Sequence, residues 1–310
     1  MLFAPPIDIS TEVFARLPER YRTERHSAFL DAQLRGRRLP ALLEGPTFDR
    51  AGNLYVVDVA FGRIFLISPA GEFDLVCEYD GEPNGLALHA DGRMFVADHK
   101  RGILVLDVGS GAISPLIERG RGEGFKGVND LTFSATGDLY FTDQGQTGLH
   151  DPTGRVYRYT AAGRLELLLD TVPSPNGLVL DLEEAALYVA VTRANAVWRA
   201  PLQLDGLPSK VGVFVQLSGL GGPDGMALDA EGGLAVAHYE LGTVWLFGPR
   251  GEPEYRVRSA AGFKTTNVAF GDADGRGLYI TEAESGTVLK ARVPRPGKRL
   301  FSHASVGPGA

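Results

Sequence analysis

A single cysteine in 310 residues leaves no internal disulfide and no cysteine metal cluster to consider. That residue, Cys77, ends the apolar run from Phe73 and reads as a buried, inert thiol. No stretch of about 18 apolar residues exists, so no segment reads as a membrane-spanning helix. Residues 1–10 lack the basic start, long apolar core and cleavage signal of a secretory leader, and with the lone cysteine this points to the cytoplasm. The net charge is −7 and the basic residues form no sustained block, which speaks against a nucleic-acid partner. The densest basic cluster, Arg35, Arg37 and Arg38, reads as a solvated turn. There is no G-x-S-x-G, the usual serine-esterase motif. Gly122-Glu-Gly124-Phe-Lys-Gly127 matches a dinucleotide fingerprint in letters only, because no strand–helix context surrounds it.

What the chain has in abundance is glycine, 40 residues, and proline, 19, spread along its whole length. That distribution implies frequent tight turns between short strands. Six segments superpose: Glu44-GPTFDRAGNLYVVD, Asn84-GLALHADGRMFVAD, Asn129-DLTFSATGDLYFTD, Asn176-GLVLDLEEAALYVAV, Asp224-GMALDAEGGLAVAH and Asn267-VAFGDADGRGLYITE. They recur at intervals of 40 to 48 residues. Each holds two β-prone runs joined by an Asp/Gly turn, which is a hairpin. A third run usually follows, such as Gly242-Thr-Val-Trp-Leu-Phe, and then a fourth. Four antiparallel strands per repeat describe a propeller blade, so the expected fold is all-β, a six-bladed β-propeller. No 12-residue helical period interrupts the repeats, against an alternating βα fold. The expected division is an N-terminal arm over 1–40, the propeller over 41–303 and a tail over 304–310. Either Glu12-Val-Phe-Ala-Arg-Leu or Arg299-Leu-Phe-Ser is able to close the ring, and the sequence does not choose.

Inner strands of a propeller run parallel around the axis, so their opening residues gather at one mouth. Here those residues are Glu44, Asn84, Asn129, Asn176, Asp224 and Asn267, every one with an oxygen-bearing side chain. One Asn-Gly or Asp-Gly pair is ordinarily just a turn. Six such residues in phase, two of them carboxylates, predict a divalent cation at the mouth. All-oxygen ligation favours Ca²⁺, with Mg²⁺, Mn²⁺, Zn²⁺ or Fe²⁺ as alternatives, and no His or Cys opens a blade to make a structural zinc site. The second strands return to the same mouth and end in Asp58, Asp98-His99, Asp143, Val191-Thr192, His238 and Glu282. These are candidates to orient ligands or move protons, or simply to cap the following loop.

The motifs Leu43-Glu44-Gly45-Pro46, Gly127-Val128-Asn129-Asp130, Ser174-Pro175-Asn176-Gly177 and Pro223-Asp224-Gly225-Met226 stand in this order at blade spacing. In this the chain resembles the SMP-30/gluconolactonase/luciferin-regenerating-enzyme family of six-bladed propellers. The resemblance implies that Glu44, Asn129, Asn176 and Asp224 bind a catalytic divalent cation. Asn84, Asn267 and Asp143 are then candidates for substrate contact. Bacterial lactonases and the squid diisopropyl-fluorophosphatase look most similar in blade three. Animal-type sugar lactonases often carry an Arg where this chain has Gly127.

The expected function is hydrolysis of a small-molecule lactone, with the metal polarising the carbonyl, Asp224 taking a proton from water and His238 orienting Asp224 or shuttling protons. Phosphotriester hydrolysis at the same site, with Asp224 as nucleophile, is the first alternative. A non-catalytic interaction propeller is the second. Oligomeric state has no signature in the sequence.

Overall fold

A computed structural model of the chain describes residues 3–22, 25–120 and 122–303. The anticipated tail, 304–310, lies outside the described residues. Six sheets surround one axis. Their inner strands are Leu43–Phe48, Pro83–Leu88, Val128–Phe133, Pro175–Leu180, Gly222–Leu228 and Thr265–Gly271, for blades one to six in that order. Each pairs antiparallel with the next strand in the chain, and that with the next, as the repeat implies.

Blade six takes its outer strand from the N-terminus. Glu12–Arg16 pairs antiparallel with Thr287–Arg292, so the first of the two closure candidates closes the ring. Ile7–Ser10 adds a fifth strand to blade five, parallel to Pro253–Arg258. Residues of the presumed arm are therefore part of two blades. The other candidate, around Arg299, covers the far end of the central channel, where the Phe301 ring meets His89 at 4.9 Å and Phe133 at 5.6 Å.

There is no single core. Six apolar clusters fill the wedges between neighbouring blades. Val56 and Phe65, for example, pack with Ala15, Leu17, Tyr279 and Val288 across the closing seam. The alternation of each strand explains this, since both faces of a blade are covered by its neighbours. Cys77 is partly buried and its thiol is pushed up to about 11 by desolvation, as an inert residue requires.

One short helix, Ala28–Leu34, follows the closing strand. Ser27 caps it, its hydroxyl accepting from the Leu30 amide and donating to the Ala60 carbonyl at 2.6 Å. This anchors the helix on blade one, with Phe29 and Leu30 in the wedge between blades one and two.

The N-terminal segment is also tied to a buried ion pair. Arg63 donates to Asp58 and, at 2.9 Å, to the Tyr21 carbonyl, and its guanidinium faces the rings of Tyr21, Phe61 and Phe65. Asp58 also accepts from the Leu42 amide at 2.9 Å, at the entry to the first inner strand. Both side chains are almost completely buried. Arg63→Ala leaves an uncompensated buried carboxylate and is expected to cost about 3–5 kcal/mol in urea unfolding. A loss below about 1 kcal/mol, the worth of an exposed pair, contradicts this reading.

Candidate active site

The mouth is organised by a break in strand register. In blade three Val128 faces Asp143 and Leu131 faces Phe141, so Asn129 and Asp130 together oppose Thr142. Blades four, five and six repeat the break after Pro175, Pro223 and Thr265. Such a bulge turns two successive residues in different directions. The first of the pair lines a mouth cavity of about 610 Å³, where Glu44, Asn84, Asn129, Asn176 and Asp224 all appear.

Blade six departs from the expected alignment. Thr265 pairs with Glu282 as Val128 pairs with Asp143, so the opening position belongs to Thr266, not Asn267. Thr266 lines the mouth, with its hydroxyl held by the Leu43 carbonyl at 2.8 Å. Asn267 sits one step further in and lines the opposite cavity, of about 390 Å³. The aligned asparagine was matched by residue type, whereas the hairpin of blade six is longer, with Thr266 lying 16 positions before Glu282 and Asn129 only 14 before Asp143.

The residue after the opening one is glycine in four blades: Gly45, Gly85, Gly177 and Gly225. Asp130 and Asn267 are the exceptions, and they meet across the channel, Asn267 Nδ2 donating to Asp130 Oδ2 at 3.3 Å. The glycines make room for them. A Cβ on Gly225 would stand 1.9 Å from Asn267 Oδ1, and one on Gly85 2.7 Å from Asp130 Oδ1. Asp130 thus lies beneath the mouth residues, a third, partly buried carboxylate that the sequence marks only as part of a motif.

These carboxylates disfavour each other's charge. Burial first, then the charges of Asp224 and Asp130, holds Glu44 well above the usual carboxylate range. Asp224 is raised in the same way, by burial and Asp130, against the opposing effects of a hydrogen bond with Asn176 and the charge of Arg193. Burial lifts Asp130 to about 6. At the mouth, Glu44 and Asp224 in this state form a place where a cation relieves both desolvation and repulsion.

The amide ligand candidates are oriented. Asn129 Nδ2 donates to Gln144 Oε1 at 3.1 Å, and Gln144 Nε2 donates to Ser174 Oγ at 3.1 Å. With its N–H engaged, Asn129 has Oδ1 left for a ligand. Gln144 carried no legible role in the sequence. Among the described residues no three His, Cys, Asp or Glu side chains gather as a ready metal site, so a site here needs the two amide oxygens.

Thr192 apart, the candidates ending the second strands hold the backbone or pack inside the blades, and do not face the cavity. Asp58 accepts from the Leu42 amide, Asp98 from Glu82, Asp143 from Gly127 and Glu282 from Lys264, each bond clamping the loop that leads into the same blade's inner strand. Asp143 is fully buried and is absent from the cavity lining, as is His238. His238 fills both ring nitrogens: Nε2 meets the Leu220 carbonyl at 2.9 Å and Nδ1 accepts from Trp245 at 3.2 Å. Burial lowers its pKa against the Leu220 bond, and the neutral imidazole with Nε2–H satisfies both contacts. In that arrangement it has no proton position open to a substrate.

The cavity has two kinds of wall. Phe29 and Leu34 of the short helix, with Leu42, supply an apolar side. Gln144, Gln146, His150, Thr192, Arg193 and Tyr239 line the rest. At Gly127 a side chain is barred, because its Cβ would come within 2.3 Å of the His99 ring.

The model of the SMP-30/gluconolactonase/LRE-like region matches residues 42–284, a span that holds all six blade openings. The chain belongs to this family. Among curated SMP-30/gluconolactonase-family relatives, lactonase drp35 of Staphylococcus aureus is 31% identical over 223 residues, 68% of each chain. A gluconolactonase of Zymomonas mobilis is 32% identical over 237 residues, covering 70% of this chain and 64% of that one. The fold agrees with solved members. Regucalcin from Agrobacterium tumefaciens, described as a calcium-binding protein, superposes with a TM-score of 0.75 at 21% identity over 96% of this chain and 98% of that one. A gluconolactonase from Xanthomonas campestris gives 0.73 at 23% over 95% and 99%. No helix among the described residues is long and apolar enough to cross a membrane.

Proposed function

We propose that the protein is a divalent-metal-dependent lactone hydrolase, with Glu44, Asn129, Asn176 and Asp224 holding the ion. The observation that carries this reading is the pair of buried carboxylates on one cavity wall, each held above its ordinary pKa by burial and by neighbouring carboxyl charge. Two carboxylates with two amide oxygens suit a hard cation, and Ca²⁺ fits best. The calcium-binding description of the Agrobacterium relative supports that choice, and the names of the two curated relatives support a lactone.

When bound, the cation supplies Lewis-acid polarisation of the ester carbonyl. The chain's own groups do the rest. One Asp224 carboxylate oxygen receives the proton of the attacking water, with Asn176 steadying the carboxylate. Gln144 keeps the Asn129 oxygen turned to the site. Asn84 lines the same cavity and is placed to hydrogen-bond the substrate. Phe29 and Leu34 of the short helix shield part of the cavity from water. His238 is a positioning residue that ties the second strand of blade five to the Leu220 loop.

The test is a panel of γ- and δ-lactones assayed beside a fluorophosphate ester, with the protein metal-free and then Ca²⁺-loaded. Lactone opening that disappears with the chelator and returns with the ion is expected. Cleavage of the fluorophosphate alone, or turnover indifferent to chelation, contradicts the assignment.

A further inference from the structure

We infer that the preferred substrate carries an anionic group, a carboxylate or a phosphate, and that Arg193 receives it. This rests on the metal reading of the mouth given above. Arg193 lies in the turn Thr192–Ala194 between the second and third strands of blade four. It is the one Arg or Lys among the described residues that line the mouth cavity.

The turn is bolted in place from both sides. The Thr192 hydroxyl donates to the Pro223 carbonyl at 2.8 Å, one residue before Asp224. The Thr192 amide donates to the Ser174 carbonyl at 3.0 Å, two residues before Asn176. Asn195, in the left-handed region at φ 51°, donates from its side chain to the Gly219 carbonyl at 3.0 Å. The backbone of Arg193 is thus fixed beside two ion-holding candidates, while its side chain stays exposed.

That side chain has no hydrogen bond or ion pair with any described residue. Other arginines packed into the fold are matched: Arg63 by Asp58, Arg158 by Glu166, Arg295 by Asp229 and Glu254. Charge counting sharpens the contrast. Glu44 and Asp224 are the acidic residues lining the mouth, and a divalent ion offsets both. With the ion bound, the Arg193 guanidinium remains the one Arg or Lys group of the described cavity lining and has no carboxylate paired to it, so it is placed to draw an anion. Its planar fork suits carboxylate and phosphate oxygens. His150 stands alongside: a Cβ on Gly148 would lie 3.2 Å from His150 Nδ1 and 3.6 Å from Arg193 Cγ, so ring and arginine stem flank the same glycine.

The experiment compares matched pairs on the Ca²⁺-loaded protein. One pair is a γ-lactone with a carboxylate on the carbon next to the ring oxygen and the methyl ester of that acid. The other is an aldonolactone with and without a phosphate ester. Wild type is expected to favour the charged member of one pair, and which pair responds identifies the anion. In Arg193→Gln the charged-to-neutral ratio of kcat/KM falls about tenfold or more, through KM, and Arg193→Lys keeps part of it. No preference in either pair, or a ratio unchanged in Arg193→Gln, overturns the inference. Calorimetric binding of tetrahydrofuran-2-carboxylate, which has no ester to hydrolyse, separates this from the hydrolase reading. An affinity about tenfold weaker in Arg193→Gln supports the anion site even if no lactone is turned over. Equal affinity in the two proteins overturns it.

Discussion

Asp224→Asn lowers kcat for lactone opening by about 10²- to 10⁴-fold, the range lost when a positioned proton acceptor is removed. The substitution changes one oxygen for an amide nitrogen and little else. Asn129 and Asn176 already place amides at equivalent positions of the mouth, so an amide in blade five keeps the fold and still offers an oxygen to the ion. The neutral group also relieves the repulsion that Asp224 exerts on Glu44, so the metal-free variant is expected to melt no lower than wild type. Steady-state kinetics with saturating Ca²⁺, alongside a thermal melt, checks both halves. Near-normal turnover of every lactone tried removes Asp224 from the role of base.

Metal removal is the second large effect, and its size depends on pH. Glu44, Asp224 and Asp130 have folded-state pKa values above their unfolded ones near 4, so the metal-free fold binds their protons more tightly than the unfolded chain does. Their contribution to stability is therefore present at low pH and is lost as pH rises, through about 6 for Asp130, with Glu44 and Asp224 shifted in the same direction. Chelated protein should lose Tm as pH rises from about 4, the unfolded value, through about 6, by roughly 2–4 °C for each kcal/mol. Added Ca²⁺ should restore more Tm at the upper end, because the ion binds the ionised carboxylates. The other buried acids, Asp58, Asp98 and Asp143, are raised as well, but their effect is common to both samples. A Ca²⁺-induced Tm shift that is flat or declines over this window contradicts the account.

The blades were legible because the same hairpin is written six times, and in five of them the residue chosen as the opening one lines the mouth. Repetition supplies a register that no single strand could. The miss at Asn267 has the same origin. The hairpin of blade six is longer than that of blade three, so matching by residue type selected Asn267 over Thr266. Closure was ambiguous because Glu12–Arg16 and the segment near Arg299 are both short apolar-polar runs, and only packing against Thr287–Arg292 distinguishes them. For the acids ending the second strands two roles were open, ligand support or loop capping, and Asp143 caps a backbone amide. His238 was read as a proton carrier, but its partners, Leu220 and Trp245, come from an adjacent loop and strand whose geometry a sequence does not record. Gln144 and Arg193 stand outside the repeat, in loops where spacing carries no code, and their roles rest on what they touch or fail to touch.

The central claim is that side chains far apart in the chain converge on one doubly charged ion. Calorimetric titration of the chelated protein with Ca²⁺ tests it most directly. One site per chain is predicted, retained with weaker affinity in Asp224→Asn and lost in a Glu44→Gln/Asp224→Asn double variant that still melts cooperatively. Binding of the ion by the folded double variant as tightly as by wild type, or no binding by wild type, contradicts it.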